Sequence, residues 1–212
     1  MEQSKKIISK YDPNIILRVI PGHFATANSH VNYYMDITPM KARQNEADRV
    51  ARALSQFYIA STVVDTILCI DGCEVIGAYL ANYLTESGVV SINQHSTMYV
   101  TSAETTSGGQ FIFRENMVHM IKDKNVMLLL SSATTGKTVA NAIHSISYYG
   151  GNISGVSAIF SAASKVFDYP IHALFSTADL PDYKNYEVSD CIMCKEKKPI
   201  DAIVNGFGYA RV

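Results

Sequence analysis

The sequence predicts an α/β fold, an open and mostly parallel twisted sheet flanked by helices. Three observations carry this. An apolar run at 63–70, a helical apolar pattern and a second apolar run at 89–93 read as strand, helix, strand, and parallel strands need such a crossover. The same order recurs at 125–160. The run Asn125-Val-Met-Leu-Leu-Leu130 is almost unbroken in apolar character, as strands covered on both faces are.

Taken in chain order, residues 1–40 lie outside the sheet pattern and are expected to form an N-terminal lid. Residues 41–62 read as a helix, because Ala47, Val50, Ala51, Leu54, Phe57 and Tyr58 recur at spacings of three and four. Asp71-Gly72-Cys73-Glu74 breaks the strand at 63–70. Val75, Ile76, Tyr79, Leu80 and Tyr83 carry the next helix, closed by Gly88, and 89–93 is the next strand. Residues 97–113, a Thr/Ser/Gly run between Met98-Tyr-Val100 and Phe111-Ile-Phe113, read as a β-hairpin or a long mobile loop. After the strand at 125–130 comes a small polar loop at 131–137. Val139, Ala142, Ile143 and Ile146 mark a helix that Gly150-Gly151 ends, and strands follow at 153–160 and 170–176. The whole chain, 1–212, is expected to be one domain, with an α/β core over 41–178 and a tail over 179–212.

Composition narrows the function. Charged residues make 17% of the chain against about 25% in an average globular protein, which suggests a face covered by a second subunit. The formal net charge of -1 argues against a strongly basic nucleic-acid binder. No apolar stretch follows the lysines at the start, and no apolar run approaches the roughly 20 residues that span a bilayer. Four cysteines in 212 residues do not make a disulfide scaffold. The expectation is a soluble, cytoplasmic protein with no membrane or nucleic-acid partner.

The stretch that points to chemistry is Val126-Met-Leu-Leu-Leu-Ser-Ser-Ala-Thr-Thr-Gly-Lys-Thr138. A buried strand runs into a loop of small residues and then a helix. Backbone N–H groups, threonine hydroxyls and the positive end of the helix can converge there on one anion. Gly136-Lys137-Thr138 is not a nucleotidase P-loop, which needs glycine five residues before Gly136, where Ser131 stands. An ordinary connection capped by threonines is the other reading.

These residues resemble the phosphoribosyl pyrophosphate loop of type I phosphoribosyltransferases: an apolar strand, two acids, then a small residue, Thr, Thr or Ala, Gly, and Lys, Thr or Ser. Gly22-His-Phe-Ala-Thr-Ala-Asn-Ser-His-Val-Asn-Tyr-Tyr-Met-Asp36 is similar to the segment of orotate phosphoribosyltransferases that ends in an aromatic pair and Asp. Residues 64–80 resemble the strand, pyrophosphate loop and helix of that family, and the resemblance spans about 14–165. It implies that Ala133, Thr134, Thr135, Gly136, Lys137 and Thr138 hold a 5′-phosphate and that Ser131 and Ser132 face the ribose. Asp71, Gly72, Cys73 and Glu74 would take pyrophosphate and Mg²⁺. Tyr33 and Tyr34 would stack on a pyrimidine-like base, or fill core. It also implies a homodimer.

Two departures set the chain apart. Ser131 and Ser132 stand where the family has two carboxylates, which support the charge developing on the sugar. Residues 99–110 hold no Lys, Arg or His where orotate enzymes carry a basic catalytic loop. Two functions therefore stand: phosphoribosyl transfer to a pyrimidine-like base, or binding of phosphoribosyl pyrophosphate or a nucleotide without turnover. In the tail, Cys191-Ile-Met-Cys194 is half of a zinc site. A lone pair of this kind is first read as two free thiols in a reducing cytosol; the other reading is a zinc site completed by Cys69 and Cys73 or by a partner chain's pair. The six histidines show no metal-ligand spacing.

Overall fold

The computed structural model describes residues 4–86, 91–94 and 97–212. Two sheets share one core. The first is built on β4 (Thr66–Cys69), β5 (Tyr99–Thr101), β8 (Asn125–Ala133), β9 (Asn152–Ser161), β10 (Lys165–Val166) and β11 (Tyr169–Ser176). Its order is β10-β11-β9-β8-β4-β5, parallel throughout except for the edge pair β10–β11.

Alternation along β8 shows why its sequence is apolar at every position. Met127 and Leu129 face the core formed with α2 (Gln44–Ser55) and α3 (Glu74–Glu86). Val126, Leu128 and Leu130 face Val139, Ala142, Ile143 and Ile146 of α5 (Lys137–Tyr148). A strand with both faces covered has no polar face to display. The α5 residues are those that helical spacing selects.

The second sheet is built from both ends of the chain. It contains β1 (Lys5–Ile8), β2 (Ile16–Ala25), β3 (His30–Asp36), β12 (Asn185–Tyr186), β13 (Ala202–Asn205) and β14 (Gly208–Arg211). The order is β12-β3-β2-β13-β14, with β1 on β2. Leu17, Val19, Phe24, Val31 and Val204 turn one face of this sheet into the core that α2 and α3 also fill. Strand β13 runs parallel to β2, with Ala202 opposite Phe24, so the tail is stitched to the N-terminal hairpin.

Several segments differ from the sequence expectation. The helix expected at 41–62 is two: α1 (Thr38–Ala42) and α2 meet at Arg43, whose backbone is extended. Helix α2 ends at Ser55, yet Tyr58 stays buried because its hydroxyl donates to Val156 O (3.0 Å) and meets Ser157 Oγ at 2.7 Å. Of the strand expected at 89–93, residues 89–90 lie outside the described residues, as does Gly88, and 91–93 are not a strand. Asn93 is instead a loop clamp: its side chain accepts from Val64 N (2.9 Å) and donates to Thr62 O (2.8 Å). The strand that completes the β-α-β unit is β5. The rest of 97–113 contains a short hairpin, β6 (Glu104–Thr105) with β7 (Phe111–Ile112). A short helix, α4 (Glu115–Val118), follows it, and α6 (Ile192–Lys195) lies in the tail. No helix among the described residues is long and apolar enough to cross a membrane.

Candidate functional site

Strand β8 runs three residues further than its apolar run, to Ala133, which pairs with Ser161 of β9. Ser131 and Ser132 are therefore held in the sheet, and the turn proper is Thr134-Thr135-Gly136 before α5. Gly136 has φ +78°, and a Cβ there would lie 2.7 Å from Val166 Cγ2. The N-cap residue of α5, Gly136, has no side chain to cap it, and of the first-turn N–H groups Lys137 N–H donates to Thr135 Oγ1 at a long 3.4 Å. The first-turn N–H groups of a 12-residue helix are thus presented at the carboxyl end of the parallel strands, where open α/β sheets take ligands.

Strand β4 ends beside it in Asp71-Gly72-Cys73-Glu74. Asp71 (φ +61°) and Gly72 (φ +75°) are both left-handed, which turns the chain sharply back toward α3. This fold of the loop brings the Asp71 carboxylate against Ser131, whose hydroxyl donates to Asp71 Oδ2 at 3.2 Å. Burial raises the Asp71 carboxyl above its ordinary value, while the Ser131 hydroxyl and the Lys41 ammonium pull the other way. Cys73 is fully buried and its thiol is pushed up by burial, so it presents a core group rather than a ligand. Glu74 is exposed at the start of α3.

Lys41, on α1, is only 8% exposed. Its ammonium donates to Asp71 O (2.5 Å) and to Gly206 O, and stands 5.8 Å from the Phe207 ring centroid. Gly206 packs so closely on the Asp71 side chain that a Cβ would overlap it. The tail loop between β13 and β14 is thereby seated on the Asp71 loop. The sequence signal for this was a lysine on the apolar face of α1, between Met40 and the α2 stripe.

Two neighbouring cavities open here. One, of about 700 Å³, lies between the Asp71 loop, the hairpin at 102–109, Lys137 and Phe207. The other, of about 230 Å³, is lined by Tyr33, Tyr34, Ser132, Thr134, Thr138, Tyr183 and Asn205. Ala27, Asn28, Asp71 and Thr138 border both. Tyr33 and Tyr34 wall the smaller cavity and are also core: Tyr34 packs on Phe24 and Tyr209 with ring centroids 6.0 and 5.1 Å apart. The hairpin contributes Ser102, Ala103, Thr105, Ser107, Gly108 and Gly109, all uncharged, and its Glu104 turns to Arg114 (2.6 Å). Lys137 is the cationic residue lining the larger cavity, among the described residues.

Cys191 and Cys194 do meet partners, but Cys69 and Cys73 are not among them. Those two are buried in the core formed by β4, α3 and their neighbours. The groups beside Cys191 and Cys194 are His23 and His30, from the facing strands β2 and β3. The expectation that the histidines carry no ligand pattern is corrected for these two. Cross-strand pairing, not sequence spacing, brings them together.

No family model and no curated protein matches the sequence. Solved structures match its shape. Orotate phosphoribosyltransferase of Mycobacterium tuberculosis H37Rv, in complex with Fe(III) dicitrate, superposes with a TM-score of 0.52 at 15% identity, over 77% of this chain and 92% of that one. A complex of that enzyme with 5-phospho-alpha-D-ribosyl 1-diphosphate gives 0.50 at 12% identity, over 69% and 82%. UMP synthase of Leishmania donovani gives 0.54 at 15% identity, over 85% of this chain and 36% of that one. The fold is that of a type I phosphoribosyltransferase.

Proposed function

We propose that this phosphoribosyltransferase-fold chain binds a phosphoribosyl ligand, phosphoribosyl pyrophosphate or a nucleotide, through its 5′-phosphate. The observation that carries the reading is the uncapped first turn of α5 behind Gly136, opening onto both cavities. Backbone N–H groups at 135–138 and the hydroxyls of Thr134 and Thr138 supply donors to a dianion, and the helix end adds favourable field. Ser132 offers a hydrogen bond to a ribose hydroxyl, while Ser131 is buried and its hydroxyl is held by Asp71; the walls of Tyr33 and Tyr34 suit a flat base.

The cleft supports binding better than turnover. Its wall at 102–109 is neutral, and Lys41 is already committed to two carbonyls, so a departing pyrophosphate meets little positive charge besides Lys137. One observation favours a second reading, transfer to a pyrimidine-like base. Asp71 places a carboxylate at Ser131 from the neighbouring strand, where the sequence itself lacks one. Asp71 and Glu74 both line the larger cavity, and one or two carboxylates plus substrate phosphates make the usual Mg²⁺ set. Bound there, Mg²⁺ would neutralise pyrophosphate charge.

Calorimetric titration separates the readings from one another and from error. Ribose 5-phosphate is expected to bind and ribose not to bind, since the phosphate supplies the contacts. A folded protein that gives no heat with ribose 5-phosphate or phosphoribosyl pyrophosphate contradicts both readings. Steady-state assay with orotate, phosphoribosyl pyrophosphate and Mg²⁺ then decides turnover; no product alongside measurable binding supports the non-catalytic reading.

A further inference from the structure

We infer that His23, His30, Cys191 and Cys194 form a structural zinc site that clamps the tail to the N-terminal hairpin. The ligand atoms all lie within 4.8 Å of one another. His23 Nε2 is 3.0 Å from His30 Nδ1, 3.5 Å from Cys191 Sγ and 3.6 Å from Cys194 Sγ; Cys194 Sγ is 3.2 Å from His30 Nδ1. A tetrahedral zinc ion with Zn–N of about 2.0–2.1 Å and Zn–S of about 2.3 Å needs N···N edges of about 3.3 Å and N···S edges of about 3.6 Å. Four of the six edges thus match a tetrahedral ion to within a few tenths of an ångström and the other two lie within 4.8 Å, so small side-chain rotations bring all four atoms onto one central ion.

Local structure explains why these four meet. Strands β2 and β3 are antiparallel with His30 opposite Ala25, and their register shifts between Pro21 and Phe24; His23, within that irregular stretch, meets His30 ring to ring on one face. In the tail, Cys191 precedes the one-turn helix α6, and Lys195 N–H closes on Cys191 O at 3.1 Å. Lys197 N–H then donates to Cys194 O, with Lys197 at φ +57°, and the chain reverses. That reversal puts Lys198 O and Pro199 O at 3.1 and 3.2 Å from His23 Nδ1. Carbonyls only accept, so Nδ1 carries the proton and the Nε2 lone pair faces the sulfurs, the tautomer a metal needs. Two imidazoles and two thiolates in tetrahedral array select zinc over the oxygen-seeking Mg²⁺ and Ca²⁺. His23, His30 and Cys191 are buried, and Cys194 is exposed, which leaves a path for entry.

The clamp has a consequence for the cleft. His23 N–H donates to Asp201 Oδ2 and Asp201 N–H to His23 O, both at 2.8 Å, directly before β13 pairs with β2. The loop carrying Gly206 and Phe207 is the continuation of β13. A metal at His23 thus sets the strand that seats this loop on Asp71.

Elemental analysis of the purified full-length chain tests the site without any phosphoribosyl ligand. About one zinc per chain is expected. The Cys191→Ser/Cys194→Ser variant should lose it, while Cys73→Ala should retain it. Because the double variant also risks misfolding, wild-type protein is exchanged with Co²⁺, where tetrahedral N₂S₂ ligation gives intense visible ligand-field bands and a thiolate charge-transfer band. A folded wild-type chain with no zinc and no such bands, zinc retained by the double serine variant, or a Cys191–Cys194 disulfide in the protein purified under reducing conditions would each overturn the inference.

Discussion

Replacing Gly136 by alanine is expected to abolish ribose 5-phosphate binding while leaving the chain folded. At φ +78° an L-residue costs about 1–2 kcal/mol relative to glycine. The new Cβ would also meet Val166 Cγ2 at 2.7 Å, so either β10 or the turn must move. The expected loss of stability is about 1–3 kcal/mol, which a domain of this size survives. Binding suffers more. In the proposed site the turn aims several N–H groups at one phosphate, and each hydrogen bond to a charged group is worth about 1.5–3 kcal/mol. Misaligning two of them weakens binding by about 100-fold or more. Thermal melting and calorimetry on the same samples read the two effects separately. Adding Val166→Ala relieves the steric contact but not the backbone strain, so it should restore binding only in part. Undiminished affinity in Gly136→Ala would place the anion elsewhere.

The second large effect is expected at Asp71, with opposite signs for stability and function. Burial raises its carboxyl pKa from the ordinary 3.8, so the unfolded chain ionises at lower pH than the folded one. Ionised Asp71 therefore costs stability once the pH has risen through the folded-state value, and costs nothing well below 3.8. Asp71→Asn removes that cost. Asparagine keeps an oxygen for the Ser131 hydroxyl and tolerates the left-handed φ of +61°. The variant should melt above wild type at neutral pH, and the difference should shrink to nothing as the solution is acidified. On the reading in which Asp71 and Glu74 hold Mg²⁺, the Mg²⁺-dependent gain in phosphoribosyl pyrophosphate affinity should fall at least about tenfold, because a hard cation loses one of its two carboxylates. Melting curves across pH, paired with titrations with and without Mg²⁺, provide the check. A variant less stable than wild type at neutral pH would mean that Lys41 outweighs burial at this position.

The parts legible in the sequence are those that local pattern controls. Strand β8 announces itself because both its faces are covered, and α5 because its buried residues recur at three and four. The small residues between them mark the turn, although β8 reaches Ala133 and leaves Ser131 and Ser132 in the sheet. What was illegible depends on contacts between distant segments. The third strand of the first β-α-β unit is Tyr99–Thr101, three residues with no distinctive pattern, whereas 91–93 only resembled strand and serves as a loop clamp around Asn93. The union of both chain ends in one sheet rests on β13 pairing with β2 across more than 170 residues, beyond the reach of any periodicity. The same holds at the site. Asp71 meets Ser131 because neighbouring strands end side by side, and His23 meets Cys194 because a hairpin faces the tail. Asp71, Ser131 and Cys194 stood out by residue type, whereas His23 did not, and topology chose the partners of all four.

The central claim is that the turn after β8 is a 5′-phosphate site, and the most direct measurement observes its amides. In a ¹⁵N-resolved titration of the full chain with ribose 5-phosphate, the N–H resonances of Thr135, Gly136, Lys137 and Thr138 should shift together and saturate with one affinity. Ribose at the same concentrations should leave them in place. If those four amides stay still while ribose 5-phosphate binds elsewhere, or if ribose moves them as far as the phosphate ester does, the account is contradicted.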